Sequence, residues 1–550
     1  MVILGVADGP SAAAAVVVDD ALVALATESL RVDPTSVDAL PWRAIDDALT
    51  IAGVSLDQVD VVAVAGRFSP LLAVRRRPWL SALVAAPFSL AMDAQVAWQA
   101  FLRVSGFGAV EADRAAEWVE GRLNVHGITP ERVLMVDAHR ALAEAVYRCA
   151  SEDDVLIVGL QPMGDGTATA VHRGQGGQLD RLSTDPAVSS LHTHLARVTS
   201  ALGLGGPISP RRLGALAARG TPDPVLLGLL ASQMSSEGTA LARWAGMSSV
   251  RADDPLYARI RSLSPEDAAA SIHQNLTEAV TSLVRRLIRL HGVPRVALVG
   301  EVFEDPRIVA RIAELEGITK VFALPASTAE TLAMGAATSQ AGLGPALRDL
   351  HLGADVDGES VERVLAASGL SAVRTATLPT RLAAGVAVAR VRGRGGPGPR
   401  ALGARCVLVR ADDAVAIARA RKALRIPEDE EALIITIPTP NEGAIEGFEA
   451  LRPTLASGAV APKVDDVFKR RYAAVIPKDG RVWMMRVEKE QEPGLHSVVQ
   501  ALVRASGCGA VAALPLPDNG SVSDVAARLV AGDLTAAQLG PFWVDAGGRR

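Results

Sequence analysis

The opening of the chain constrains the fold most. Residues 2–6, 13–18 and 21–26 are β-prone apolar runs, and Ala7-Asp-Gly-Pro-Ser11 separates the first two. Runs this short, punctuated by turn residues, read as three consecutive strands. Helix and strand patterns then alternate. Trp42 to Gly53 places Ile45, Ala48, Leu49 and Ala52 on one helical face, and Gly53 fits a helix C-cap. Val59–Ala65 and Arg132–Val136 read as strands, and Asp137–Tyr147 as a helix. Asp154–Leu160 and Thr167–His172 flank the glycine turn Gly164-Asp-Gly166. This alternation is that of an α/β protein.

A chain of 550 residues is too long for one core, so two or three domains are expected. We place the first at 1–345, a linker at 346–378 and the second at 379–550. Within the first, the spacing predicts helices over 80–104, 110–124 and 189–220. It also predicts a long helix over 265–291, with Ile272, Leu276, Val280, Leu283 and Leu287 on its apolar face. In the second, 414–424, 495–505 and 522–531 read as helices. Residues 433–437, 463–475, 482–487, 510–514 and 541–544 read as strands.

The net charge of −5 argues against a general nucleic-acid or membrane-surface binder. Cys149, Cys406 and Cys508 lack metal-ligand spacing, which suits a reducing cytoplasm. No apolar run is long enough to be read as a membrane span, and the first residues lack a basic leader. Cytoplasmic localisation is therefore expected, and the Ala- and Arg-rich composition points to a bacterial source.

One stretch stands out chemically. Between Val391 and Val407, four arginines (Arg392, Arg394, Arg400, Arg405) share a loop with five glycines. Glycine lets backbone approach a ligand, and arginine forks onto phosphate or carboxylate. The stretch is either an anion site or a solvated basic loop.

The order of residues narrows the choice. Gly398-Pro-Arg-Ala-Leu-Gly403, followed by Arg405, resembles the signature of the NodU/CmcH-type carbamoyltransferases. Arg394 also matches; Gly396 replaces the family's glutamate, and Cys406 its serine. The resemblance is collinear over nearly the whole chain. It implies an actin-like, two-lobed N-terminal domain followed by a smaller α/β domain resembling threonylcarbamoyl-adenylate synthases. In such enzymes carbamoyl phosphate and ATP give carbamoyladenylate, and a metal assists transfer of the carbamoyl group to a hydroxyl.

The family's polar motifs are depleted here. Asp8 and Gly9 stand where the first turn carries histidine and aspartate. Asp8 is either a weak base or a turn residue. Ala138, His139 and Leu142 take the places of three histidines, leaving His139 as a ligand candidate or an ordinary capping or surface residue. Gln161 replaces a ligand aspartate, though Gly164 and Gly166 keep the turn. Glu301 replaces the second glycine of a nucleotide turn, and Ala329 another aspartate. No metal site is therefore expected, and the weak catalytic candidates are His139 and Asp8. Arg394, Arg400, Arg405 and Arg481 are the candidates for phosphate or carbamoyl binding, with Gly398 and Gly403 shaping their loop.

The resemblance thus implies a catalytically degenerate carbamoyltransferase, a pseudoenzyme in a biosynthetic setting. It would be a structural or regulatory subunit, a homo-oligomer or paired with an active paralogue. The alternative is an active O- or N-carbamoyltransferase using carbamoyl phosphate, ATP and a divalent metal, iron or magnesium. A sugar-kinase-like protein fits less well, because neither N-terminal half carries a full Asp-Gly phosphate turn.

Overall fold

The structure is a computed structural model. It describes residues 1–8, 11–29, 40–68, 90–150, 152–161, 164–233, 254–324, 326, 328–342, 350–373, 378–397, 403–427, 430–437, 445–446, 461–487, 489, 493–516 and 520–549. The chain forms two compact units, Met1–Leu347 and Arg348–Arg550.

The first unit repeats one plan twice. Its first lobe has strands β1 (Val2–Ala7), β2 (Ser11–Val18), β3 (Ala21–Ser29), β4 (Val61–Ala65) and β5 (Arg132–Val136) in the order β3-β2-β1-β4-β5. Its second has β6 (Val155–Leu160), β7 (Thr167–Gln175), β8 (Gln178–Pro186), β9 (Arg295–Val299) and β10 (Lys320–Ala323) in the order β10-β9-β6-β7-β8. In each, three strands form an antiparallel meander, and the first strand of that meander pairs in parallel with the fourth. The unit is α/β with mixed sheets, and the duplicated order is that expected for two actin-like lobes.

Helices of this unit are α1 (Trp42–Ala52), α2 (Leu90–Val104), α3 (Phe107–Val125), α4 (Ala138–Ala150), α5 (Leu191–Ser200), α6 (Pro210–Ala217), α7 (Pro224–Gln233), α8 (Pro255–Ser262), α9 (Pro265–His291), α10 (Pro306–Ala313) and α11 (Thr328–Thr338). β4 and β6 are buried along their whole length, which requires cover on both faces. Much of it comes from α4 and α11, which pack on each other at very short range. A Cβ on Gly335 would lie 1.6 Å from the carbonyl oxygen of Ala141, so this crossing needs glycine. The long helix α9 matches its expected bounds and buries all five predicted apolar residues. Ser264 Oγ caps it by accepting from Asp267 N, and Gly292 ends it in the left-handed region.

The second unit contains β11 (Leu370–Val373), β12 (Val388–Val391), β13 (Arg405–Arg410), β14 (Leu433–Thr436), β15 (Ile445–Glu446), β16 (Lys463–Val464), β17 (Met484–Arg486), β18 (Ala510–Pro515), β19 (Ala536–Leu539) and β20 (Phe542–Arg549). Eight of them form one mixed sheet in the order β11-β20-β19-β12-β13-β18-β14-β17, while β15 and β16 pair separately. Helices α12 (Gly358–Ala367), α13 (Leu378–Ala383), α14 (Ala414–Ala423), α15 (Asp466–Arg471), α16 (Pro493–Ser506) and α17 (Val522–Ala531) complete it.

Four expectations change. Residues 346–378, expected as a connection with one helix at 361–367, carry that helix as α12 but also contribute the edge strand β11, which pairs with β20. Residues 463–475 are mostly not strand, because Asp465 caps a helix by accepting from Phe468 N at 2.8 Å. The 189–220 region is two helices, α5 and α6, each capped by a serine. Residues 536–539, outside the strands expected above, form a strand inside the sheet. The expected helix over 80–89 lies outside the described residues. Among the described residues, no helix is long and apolar enough to cross a membrane.

Candidate functional site

The first unit concentrates its buried polar groups where β5 enters α4 and where β6 turns into β7. Asp165, between two glycines, holds φ 52° and ψ 42°, a left-handed conformation uncommon outside glycine. Its carboxylate explains why it persists. Oδ1 accepts from the backbone N–H of Arg67 at 2.7 Å and of Phe68 at 3.0 Å. Oδ2 accepts from Ala138 N, at the start of α4, at 2.8 Å. One side chain of the second lobe thus gathers two segments of the first. Gly166 N donates to Gln99 Oε1 at 3.2 Å, bringing α2 into the same cluster. Burial, then the charge of Asp137, pushes the Asp165 carboxyl up to about 6, while the three N–H donors pull the other way.

Asp137 is also buried. Arg103 Nη1 donates to Oδ2 at 2.7 Å, Arg140 N donates to Oδ1 at 3.0 Å, and Arg181 Nη2 lies 3.5 Å from Oδ1. Burial opposes its ionisation, but the Arg103 bond and the two arginine charges hold it at about 2.

His139 follows on α4. Its Nε2 lies 3.0 Å from the carbonyl oxygen of Thr167, so Nε2 carries the proton and Nδ1 a bare lone pair. Nδ1 has no partner and faces Gly159, whose Cβ, were there one, would stand 3.4 Å away. Burial pushes this imidazole down to about 4. His172 on β7 is likewise buried, with Nε2 unpartnered, and burial followed by the Arg181 charge pushes it down to about 3. Both rings are neutral at pH 7. Among the described residues no group of three or more His, Cys, Asp or Glu side chains is placed to hold a metal ion. The donor set agrees: both Asp137 oxygens and both Asp165 oxygens are already bonded, and His139 offers one lone pair. Gln161, in the place of the ligand aspartate, is buried with Nε2 unpartnered. Asp8 is half-buried after β1 and takes part in none of these bonds.

The turn after β9 is the one the sequence resemblance aligns with a nucleotide turn. Gly300 has φ 113°, and a Cβ there would come 1.9 Å from the carbonyl oxygen of Leu160, so glycine is obligatory. Glu301 pairs with His192 Nδ1 at 3.1 Å. Glu304 is pushed up to about 8, first by burial and then by Glu301, with Arg211 opposing and Glu330 adding to the rise. Three carboxylates therefore crowd the turn. A triphosphate brought here would meet like charge, which does not fit an anion-binding turn.

In the second unit the arginine loop is braced against backbone. Arg394 donates to the carbonyl of Gly353 from Nε at 3.1 Å and to that of Leu352 from Nη2 at 3.0 Å. Arg405 Nη1 donates to the carbonyls of Arg392 and Ala404 at 2.8 and 3.0 Å. Its Nη2 donates to Gly393 and Ala354 at 2.7 and 3.3 Å. Burial, then the neighbouring Arg390, pushes Arg405 down to about 10. Arg481 is buried and donates from Nη1 to a different segment, the carbonyl of Ala461 at 3.2 Å. Gly403 sits at φ 90° against Leu495 and Ile435. Gly398 and Arg400 lie outside the described residues.

Sequence reasoning singled out Gly164, Gly166 and His139, which lie in this cluster, and passed over Asp165, Asp137, His172, Arg103 and Arg181 as candidates. An aspartate flanked by glycines between two strands was the available signal for Asp165. None existed for His172, an inward residue on a strand.

No family model matches the chain. It is similar to the nodulation protein NolNO of Sinorhizobium fredii, with 26% identity over 420 residues. That match covers 72% of this chain, which spans only 58% of the length of that relative. Among solved structures, component A of (R)-2-hydroxyglutaryl-CoA dehydratase from Acidaminococcus fermentans covers 62% of this chain and 97% of its own, with 13% identity and a TM-score of 0.35. The activator of 2-hydroxyisocaproyl-CoA dehydratase from Clostridium difficile covers 62% and 94%, with 17% identity and a TM-score of 0.32. The ROK hexokinase of Thermus thermophilus covers 62% and 97%, with 14% identity and a TM-score of 0.31.

Proposed function

We propose that this chain is a carbamoyltransferase-family protein that has lost the transfer reaction and acts as a structural or regulatory subunit, paired with an active paralogue. On this reading the first unit is the actin-like transfer domain with its chemistry removed. The second is the carbamoyladenylate-forming-type domain. The likeness to NolNO and the sequence signature at 398–405 support the family.

The observation that carries the degeneracy is the state of the acids and imidazoles in the first unit. A catalytic metal site commonly needs three protein ligands and an open position. Here two unpartnered imidazole nitrogens remain, His139 Nδ1 and His172 Nε2, and the neighbouring carboxylates are spent on backbone N–H groups and arginines. At the turn that would hug a phosphate, the charges of Glu301 and of Glu330 on α11 raise the Glu304 carboxyl. In the second unit, Arg394 and Arg405 spend donors on carbonyl groups that fold their own loop.

Isothermal titration of the full chain with ATP, carbamoyl phosphate, Fe²⁺ and Mg²⁺ tests this reading. The expected result is no metal-dependent nucleotide binding at micromolar strength. Such binding, or release of AMP or a carbamoylated product, would establish the active alternative instead. Co-expression with a paralogue retaining the three helix histidines should give a stable co-purifying complex.

A further inference from the structure

The outer face of α2 and the first turn of α3 carry one apolar surface. Among the described residues from 94 to 110, every exposed one is apolar or glycine. Five of them are large: Trp98 is 49% exposed, Phe101 45%, Val104 86%, Phe107 64% and Val110 47%. Trp98 and Phe101 stack with their ring centres 5.6 Å apart, and Phe101 and Phe107 at 6.2 Å. The rings are therefore one continuous patch rather than scattered side chains.

The opposite face of α2 is pinned. Val96 and Leu102 are buried, and Gln99 Oε1 accepts from Gly166 N. Arg103, the only charged residue between 94 and 110, donates to Asp137. The stripe is thus held in place from behind, so covering it costs little ordering.

Area and charge say what covers it. At roughly 200 Å² per ring, the three aromatic side chains expose about 300 Å², and the two valines bring the patch to about 450 Å². Paired with a copy of itself, it removes about 900 Å² of apolar surface from water. Homodimer interfaces are about two-thirds apolar, so the whole contact comes to about 1,400 Å², above the roughly 1,000 Å² a specific interface needs. A two-fold contact sets the same patch against itself, and any net charge on it would repel. This patch has none.

We propose that the α2–α3 face is a two-fold interface between copies of this chain, with Phe101 and Phe107 at its centre. The contact uses the first unit alone, and it stands whether or not a paralogue also binds or carbamoyl groups are transferred.

Sedimentation velocity of the full native chain from about 1 to 100 μM tests this without any variant: a monomer–dimer equilibrium with a micromolar Kd is expected. Phe101→Asp and Phe107→Asp should each weaken it at least about 30-fold, with melting midpoints within about 2 °C of the native chain. Val225→Asp, which changes a valine 59% exposed on α7, should leave the dimer intact. A native chain that stays monomeric at about 100 μM, whether bare or bound instead to neutral lipid vesicles, would overturn the proposal. So would a dimer that survives both aspartates, or one that Val225→Asp weakens equally.

Discussion

The two glycine turns of the second lobe hold buried acids in opposite circumstances. At the first, Asp165 has three backbone N–H donors aimed at its two oxygens. At the second, Glu304 faces Glu301 and Glu330 with Arg211 as the opposing charge. Both carboxyls are raised above their ordinary range, first by loss of water and then by like charge, Asp137 beside Asp165 and Glu301 beside Glu304. They differ in what opposes the rise: three backbone N–H donors at Asp165, and the Arg211 charge with one backbone N–H, that of Thr328, at Glu304. The first acid is structural: its geometry connects β4, α4 and the β6–β7 turn. The second sits among like charges. Two glycine turns of one lobe can thus differ in their acids, one tied to backbone N–H donors and the other set in a charged cluster.

The largest effect should come from removing the first acid. Asp165→Ala leaves three N–H groups facing a small apolar side chain, and each unsatisfied buried donor costs about 1–3 kcal/mol. A loss of about 4 kcal/mol in denaturant unfolding is expected, because water reaches part of the gap. Asp165→Asn keeps one acceptor oxygen and should lose about half as much. If alanine is tolerated within about 0.5 kcal/mol, the clamp is not what holds these segments together.

The next effect concerns His172, on the strand that leaves the Asp165 turn. Its folded form is neutral because burial and Arg181 push it down to about 3, whereas the unfolded imidazole protonates near 6.5. A base depressed in the fold gives stability that is complete above pH 6.5 and is lost as pH falls toward 3. Asp165, raised to about 6, works in the other direction: its stabilising share is complete below its unfolded value and is lost as pH rises through 6. The two partly offset each other in the native chain, so the clean measurement is a difference. Between pH 7 and pH 4, His172→Gln should lose about 3 kcal/mol less than the native chain. Parallel acid limbs for the two proteins would mean that the imidazole is not desolvated.

Much of the fold was legible because local signals and burial agree. The meander β1–β3, helix α1 with Gly53 as its cap, and α9 from Pro265 to His291 follow from patterns within a few residues. The failures have physical causes. Lys463–Val475 looked β-prone, but Asp465 supplies a cap to Phe468 N and tips the next residues into α15. β11 is four residues long and owes its existence to β20, far along the chain. The site was less legible for the same reason. Asp165 meets Arg67 and Phe68 nearly a hundred positions away, so its role is invisible locally. Arg394 and Arg405 read as ligand groups because their carbonyl partners, Leu352, Gly353 and Ala354, lie some forty to fifty residues upstream.

The smallest effect tests the other side of the comparison. Glu304, raised to about 8 by burial, Glu301 and Glu330, takes up a proton in the fold more readily than in the unfolded chain. Its stabilising share is complete below about pH 4.5 and is lost as pH rises through 8. Glu304→Gln removes that titration and the repulsion with it. Relative to the native chain, the variant should gain about 1 kcal/mol on going from pH 6 to pH 9, discounted because the side chain is half-buried. Thermal melts at the two pH values read this directly. If the native chain and the variant shift together, Glu304 is charged and paired in the fold. The second turn would then resemble the first, with its acids satisfied and the phosphate-repelling role removed.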